Sequence, residues 1–203
     1  TATTEIYTFP YTTLFRSGGG GFPAILAALV AGFLAVALMI VARSPNPQRA
    51  IPMILVAGLG VAAYLSYIET GTAEAVCGVM GDCNAVQASP YAKVAGIPVG
   101  VIGLVGYVLL FVAWGVGRFQ SSQAATLGRA SLLVMALLGV AASAYLTFLE
   151  PFVIGAVCAW CITSALTMLA VLWLSAPAGR TALQSLRGNT ATKTRQTESV
   201  TSS

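Results

Sequence analysis

Five stretches of this 203-residue chain run without a single charged side chain: 17–42, 50–68, 94–117, 130–149 and 151–179. A helix needs about 20 mostly apolar residues to cross the hydrocarbon of a bilayer. Each stretch supplies one, with span cores expected at 22–42, 50–68, 97–117, 129–149 and 153–175. One such run can be the buried helix of a large soluble protein, but five in a chain this short leave no polar shell to bury them. Composition agrees, at 57% hydrophobic and 8% charged residues with a mean hydropathy of +0.85, against about 25% charged in soluble domains. Disordered chains are poor in apolar residues and rich in charge, so disorder is excluded as well. The expected fold class is an all-α integral membrane bundle. The chain has no His, which removes imidazole acid–base chemistry and His metal ligation.

The charges between the spans set an orientation. Arg43 and Arg49 lie between the first two, Arg118 and Arg129 between the third and fourth, and Arg180, Arg187, Lys193 and Arg195 after the fifth. With alternating spans all of these fall on one side. The other side carries Glu69, Glu74, Asp82 and Glu150, with Lys93 as its cation between spans. The positive-inside rule then predicts a cytoplasmic C-terminus and an extracytoplasmic 69–96 loop. The net charge of +4 is accounted for by this asymmetry, and no nucleic-acid partner is expected. The Ser/Thr/Arg-rich tail 176–203 is expected to be a disordered cytoplasmic tail. Residues 9–17, FPYTTLFRS, match the translation of a common sequencing-adapter oligonucleotide. Residues 1–17 of the N-terminal segment 1–21 are therefore left out of fold reasoning. The span at 22–42 is longer than a signal-peptide core and lacks a clear small-residue cleavage site.

A shift of 81 residues superposes the chain on itself. AYLSYIE at 63–69 falls on AYLTFLE at 144–150, and AVC at 75–77 falls on AVC at 156–158. Seven of the fifteen positions from Ala63 to Cys77 are identical. Each copy ends an outward-going helix, crosses the interface at a Glu and reaches a Cys eight residues later. Parallel repeats of this kind occur in membrane folds. Both cysteine clusters are therefore expected at one membrane face.

Cys158 and Cys161 form C-A-W-C at the outer start of the last span. Residues i and i+3 share a helix face, which brings two Cα atoms within disulfide range. A helix N-terminus also favours a thiolate. Cys77 and Cys83 lie in C-G-V-M-G-D-C within the outer loop, where Gly78 and Gly81 add flexibility. Three readings fit these four sulfurs: two inert structural bridges in an oxidising compartment, a four-thiolate zinc site, or a relay passing electrons by thiol–disulfide exchange. For a relay, the chain carries no haem, iron–sulfur or nucleotide motif, and a lipid-soluble quinone is the natural two-electron acceptor.

The ordered motifs C-x5-C, N-A-V-Q-A-S-P-Y, G-I-P-V-G-V-I-G-L-V-G-Y and C-A-W-C-I-T-S resemble those of prokaryotic members of the vitamin K epoxide reductase family, over about residues 50–175. The resemblance implies a four-helix catalytic bundle around a quinone (ubiquinone or menaquinone), with 22–42 as an extra transmembrane helix. It implies the loop pair Cys77/Cys83, the membrane pair Cys158/Cys161, and Ser89 as the loop serine that contacts the quinone. It further implies that a secreted thioredoxin-like protein reduces Cys77–Cys83, that Cys83 attacks Cys158, and that Cys161 faces the quinone. The site is expected in a prokaryotic cell membrane, on the extracytoplasmic side, without a metal. Many family members fuse a thioredoxin-like domain to the bundle. Residues 176–203 hold no further Cys, so the partner is expected to act in trans. Ala165 and Val99 stand where animal members carry a Tyr and an Asn that hold vitamin K, which favours a respiratory quinone over an epoxide. The disulfide-bond-forming protein B family runs the same chemistry with its two Cys pairs in the opposite chain order.

Other residues carry two readings each. Glu69 and Glu150 are read first as solvated helix-end charges and second as proton carriers. Trp160 either walls the quinone head group or anchors a helix end at the interface. Ser89, before Pro90, either caps a short loop helix or hydrogen-bonds the quinone. Gly96, Gly100, Gly103 and Gly106 are read as close-packing positions, and Pro98 as a helix-start proline.

Overall fold

A computed structural model describes residues 21–43, 46–71, 74–77, 82–119 and 122–201 of the chain. Five long helices account for most of it: α1 (Gly21–Arg43), α2 (Ile51–Thr70), α4 (Val99–Phe119), α5 (Ser122–Leu149) and α6 (Ala159–Thr201). The short α3 (Cys83–Gln87) and a two-residue antiparallel ladder, β1 (Lys93–Val94) with β2 (Ile97–Pro98), lie between α2 and α4. The expected adapter segment 1–17 and the loop glycines Gly78 and Gly81 lie outside the described residues.

Four segments are long and apolar enough to cross a membrane: Gln48–Thr70, Val99–Phe119, Gln123–Ile154 and Ala159–Gly188. The chain is therefore an all-α membrane protein. Helix α1 stands where an extra span is expected, and the apolar helix described there is Ala28–Arg43. The span boundaries follow from local chemistry. Pro52 opens α2, where a missing N–H costs nothing because the first helical donors are unpaired anyway. Asp82 caps α3 by accepting from the Ala85 N–H at 3.0 Å. Arg43 and Arg118 end α1 and α4, favourably for the helix dipole.

The helices pack through small residues. A Cβ on Gly128 of α5 would lie 2.5 Å from the Gly117 nitrogen of α4, so only glycine lets the two backbones approach this closely. One core, around Leu55, Tyr107, Leu110, Ala136 and Val171, fills the middle of the bundle. A second, around Tyr64, Val86, Cys83, Cys158 and Trp160, sits at the loop end. The outer faces of α4 and α5 leave Val105, Leu109, Val112, Leu137 and Leu138 exposed, a surface suited to lipid tails rather than water.

The structure departs from expectation after residue 175. Where a disordered tail is expected, α6 continues to Thr201 with Pro177 inside it. The first turns beyond the span are held by packing. Ala182 is buried, and a Cβ on Gly179 would meet the Leu133 side chain of α5 at 2.5 Å. Ala, Leu, Gln, Arg and Lys in the following turns are good helix formers, so a helix already nucleated by the span propagates into them.

Candidate active site

The two repeat copies end differently, and that difference builds the site. Helix α2 stops at Thr70, whose hydroxyl donates to the Ser66 carbonyl at 2.7 Å, and the Gly71 N–H closes the last turn on Tyr67 O. In the second copy the residue after the Glu is Pro151. Proline has no N–H to continue the ladder, and the chain widens into a π-helical turn, Glu150–Ile154, closed by Gly155 in the left-handed conformation at φ +75°. Wide turns of this kind concentrate at functional sites. Here it turns the Glu150 side chain inward, leaving it 2% exposed. Its Oε2 accepts from the Cys158 N–H at 3.0 Å, and its carboxylate also meets the Cys161 thiol. The reading of Glu150 as a solvated helix-end charge is thus corrected. Glu69 is half-buried, with its Oε2 accepting from the Gly100 N–H at 2.6 Å.

Cys158 sits directly before α6 and acts as its cap. Its sulfur accepts from the Cys161 N–H at 3.3 Å, the bond an N-cap side chain makes to the third helical residue. The hydrogen bond from the Cys161 side chain holds the Cys158 thiol below the ordinary range. Burial opposes this, and the Cys161 and Trp160 backbones reinforce it. Cys158 is fully buried. Its sulfur and those of Cys77 and Cys83 all lie within 4.8 Å of one another. Cys77 and Cys83 are joined as a disulfide, while Cys158 and Cys161 are free. The two Cys pairs thus lie at one end of the bundle, with Cys158 against the loop pair.

Three side chains hold the Cys77 strand against α6. Asn84 clamps Ala75, accepting from its N–H at 2.7 Å and donating to its carbonyl at 3.2 Å. The Tyr64 hydroxyl accepts from the Val76 N–H at 3.0 Å. Trp160 Nε1 donates to the Val76 carbonyl at 2.9 Å and its ring packs on Tyr64 at 4.9 Å. Sequence reasoning singled out Trp160 as a possible cavity wall. In the structure it does not line the cavity, and it braces the loop pair instead. Asn84 and Tyr64 were missed as braces. Their signal was weak: a Tyr at a helix end and an Asn after a Cys are both common.

A cavity of about 390 Å³ opens between α2, α4, α5 and α6, within the range of small-molecule sites. Its wall is mainly apolar and includes Leu65, Leu110, Met135 and Met168. Its polar lining includes Cys161, Ser164, Glu69, Glu150, Ser89 and Gln87. Ser89 Oγ and Gln87 Oε1 are buried and have no hydrogen-bond partner among the described residues. Ser89 lines the cavity and, although it precedes the Pro90–Ala92 turn, makes no capping bond. Gln87 stands in the N-A-V-Q-A-S-P-Y motif but was not singled out, because only tertiary packing turns its side chain into the cavity. Cys161 lines the cavity, whereas Cys158, Cys77 and Cys83 do not. One helical turn thus separates a sulfur that faces the loop pair from a sulfur that faces the cavity.

A tight cysteine cluster thus lies beside an apolar, partly polar-tipped cavity in a helical membrane bundle. The family model described as "Vitamin K epoxide reductase family" matches residues 49–176. The chain belongs to that family. It is also 32% identical over 118 residues to a thiol-disulfide oxidoreductase, LTO1, of Arabidopsis thaliana. That match covers 56% of this chain and 31% of the plant protein, so the chain spans about a third of its relative's length.

Proposed function

We propose that the protein is a membrane thiol oxidoreductase that moves two electrons from a thioredoxin-like dithiol protein, through Cys77/Cys83 and Cys158/Cys161, to a membrane quinone. The observation that carries this reading is the placement of the sulfurs. Cys158 lies within 4.8 Å of the loop pair, and Cys161 lines the cavity. Inert structural bridges would not need one free sulfur stacked against a disulfide and the next facing an apolar hollow. A thiolate zinc site would need Cys77 and Cys83 as thiolates, and here they are bonded to each other.

The cavity suits a quinone. Its apolar wall fits a ring and prenyl tail, and the unpartnered Ser89 Oγ and Gln87 side chain offer hydrogen bonds to ring oxygens. Val99 lines the cavity without a hydrogen-bonding group, which favours ubiquinone or menaquinone over a vitamin K epoxide. The quinone supplies an acceptor for two electrons and two protons. The chain does the rest by exchange. The partner's dithiol reduces Cys77–Cys83, and the freed Cys83 thiolate attacks Cys158 of the oxidised membrane pair. Cys161 leaves as a thiolate facing the cavity and takes up the proton that Cys83 gave up, and Cys77 then closes on Cys83 to free Cys158. Overall, one partner dithiol becomes a disulfide and one quinone becomes a quinol. The charge asymmetry supports an extracytoplasmic site and a cytoplasmic C-terminus, in a prokaryotic cell membrane.

The test uses purified protein, a reduced thioredoxin-like donor and a quinone, with quinol formation followed by absorbance. Wild type should turn over, and each single Cys→Ser variant should not. In Cys161→Ser a Cys83–Cys158 species should accumulate. Finding only Cys77–Cys83 linkage in that variant by non-reducing peptide mapping would overturn the relay.

A further inference from the structure

The reaction moves protons as well as electrons, and the sulfurs alone do not say how. Among the described residues Glu150 is the carboxylate that holds the Cys158 N–H, at 3.0 Å, and interacts with the Cys161 side chain. It also lines the cavity that Cys161 lines. Among the described residues no Lys or Arg pairs with it. The titratable groups facing it are Cys158 and Cys161, and Glu69 lines the same cavity. Burying a carboxylate without a cation is unfavourable. A neutral Gln would accept the Cys158 N–H equally well, so the hydrogen bond does not explain the acid. What Gln cannot do is take up a proton and give it back.

We infer that Glu150 is the proton carrier between the Cys161 thiol and the ligand of the cavity. This inference rests on the quinone reading above. Cys161 gives its thiol proton to the Glu150 carboxylate, and the Cys158 and Cys161 sulfurs then join in a disulfide as two electrons leave for the quinone. Glu150 passes its proton to a quinone oxygen. The second proton is drawn from water and matches the one Cys158 releases to water on becoming a thiolate. Atoms and electrons balance as one dithiol and one quinone giving one disulfide and one quinol.

The experiment compares wild type with Glu150→Gln and Glu150→Asp in two measurements. In the first, without quinone, the Cys158–Cys161 pair is oxidised by diamide while infrared difference spectra are recorded. Wild type should gain a protonated-carboxyl band that Glu150→Gln lacks. In the second, quinol formation is followed in a single turnover. Glu150→Gln should slow it by at least about tenfold, Glu150→Asp should recover most of the rate, and thiol exchange between donor and loop pair should stay within about twofold in both. A band that persists in Glu150→Gln, or quinol formation unchanged in that variant, overturns the inference and leaves the quinone reading standing. Loss of exchange as well, unrecovered by Glu150→Asp, marks a structural residue and also overturns it. A wild type inert toward quinone overturns both.

Discussion

Residues 63–77 and 144–158 share seven of fifteen side chains, yet the structure uses them differently. In the first copy Tyr64 is buried and ties down Val76, and Cys77 is bonded to Cys83. In the second copy the equivalent Tyr145 is exposed and Cys158 is a free, buried thiol. Glu69 reaches sideways to the start of α4, while Glu150 folds back onto its own cysteines. The divergence begins one residue after the Glu, where Thr70 allows an ordinary helix end and Pro151 forces a wide one. A repeated segment can thus supply the loop half and the membrane half of one cysteine cluster by changing how its helix stops.

The largest effect should come from removing one sulfur of each copy. Cys158→Ser removes the sulfur that lies against the loop pair, and it should abolish transfer from any donor. Cys77→Ser should block the protein donor but leave slow reduction of the membrane pair through Cys83 when dithiothreitol is supplied. Equal loss with dithiothreitol would mean that the copies are not ordered as described. Next in size is the helix end itself. Pro151→Ala restores an N–H and allows α5 to continue as an α-helix, turning Glu150 away. A misplacement of about 1 Å is enough to cost roughly 10- to 100-fold in quinol formation. Helicity measured by circular dichroism should be retained.

A smaller effect concerns pH. The Cys158 thiol is held below the ordinary range first by its hydrogen bond from Cys161. Exchange between Cys158 and the loop disulfide requires the thiolate, so its rate should rise with pH and level off at a lower pH than for an ordinary thiol. In Cys161→Ala the midpoint should move upward. A midpoint that does not move would show that Cys161 does not tune its neighbour. The smallest effect separates the two tyrosines. Tyr64→Phe deletes the acceptor of a backbone N–H and should destabilise the loop end by about 1 kcal/mol. Tyr145→Phe, on an exposed face, should stay within about 0.5 kcal/mol. Thermal unfolding in detergent checks both.

Much of this was legible in the residues. Uncharged runs bounded by Arg and Glu mark the helices because a charge in hydrocarbon is so costly. The repeat places both Cys pairs at one end because parallel copies share a direction. Ser89 was found through its position in a motif. Three features were hidden, each for a physical reason. The burial of Glu150 depends on a π-turn whose geometry is set by tertiary packing as well as by Pro151. Trp160 braces the Cys77 strand because its indole N–H meets a carbonyl 84 residues away, a contact that periodicity does not encode. The helix beyond residue 175 persists because α5 packs against its first turns, whereas composition alone reads as a polar tail.

The most direct measurement uses the double variant Cys77→Ser/Cys161→Ser, which retains only Cys83 and Cys158. Under mild oxidation in detergent or in membranes, these two should form an intramolecular disulfide in nearly every molecule, identified by non-reducing peptide mapping. Free thiols, or bridges only between separate molecules, would contradict a relay built on their proximity.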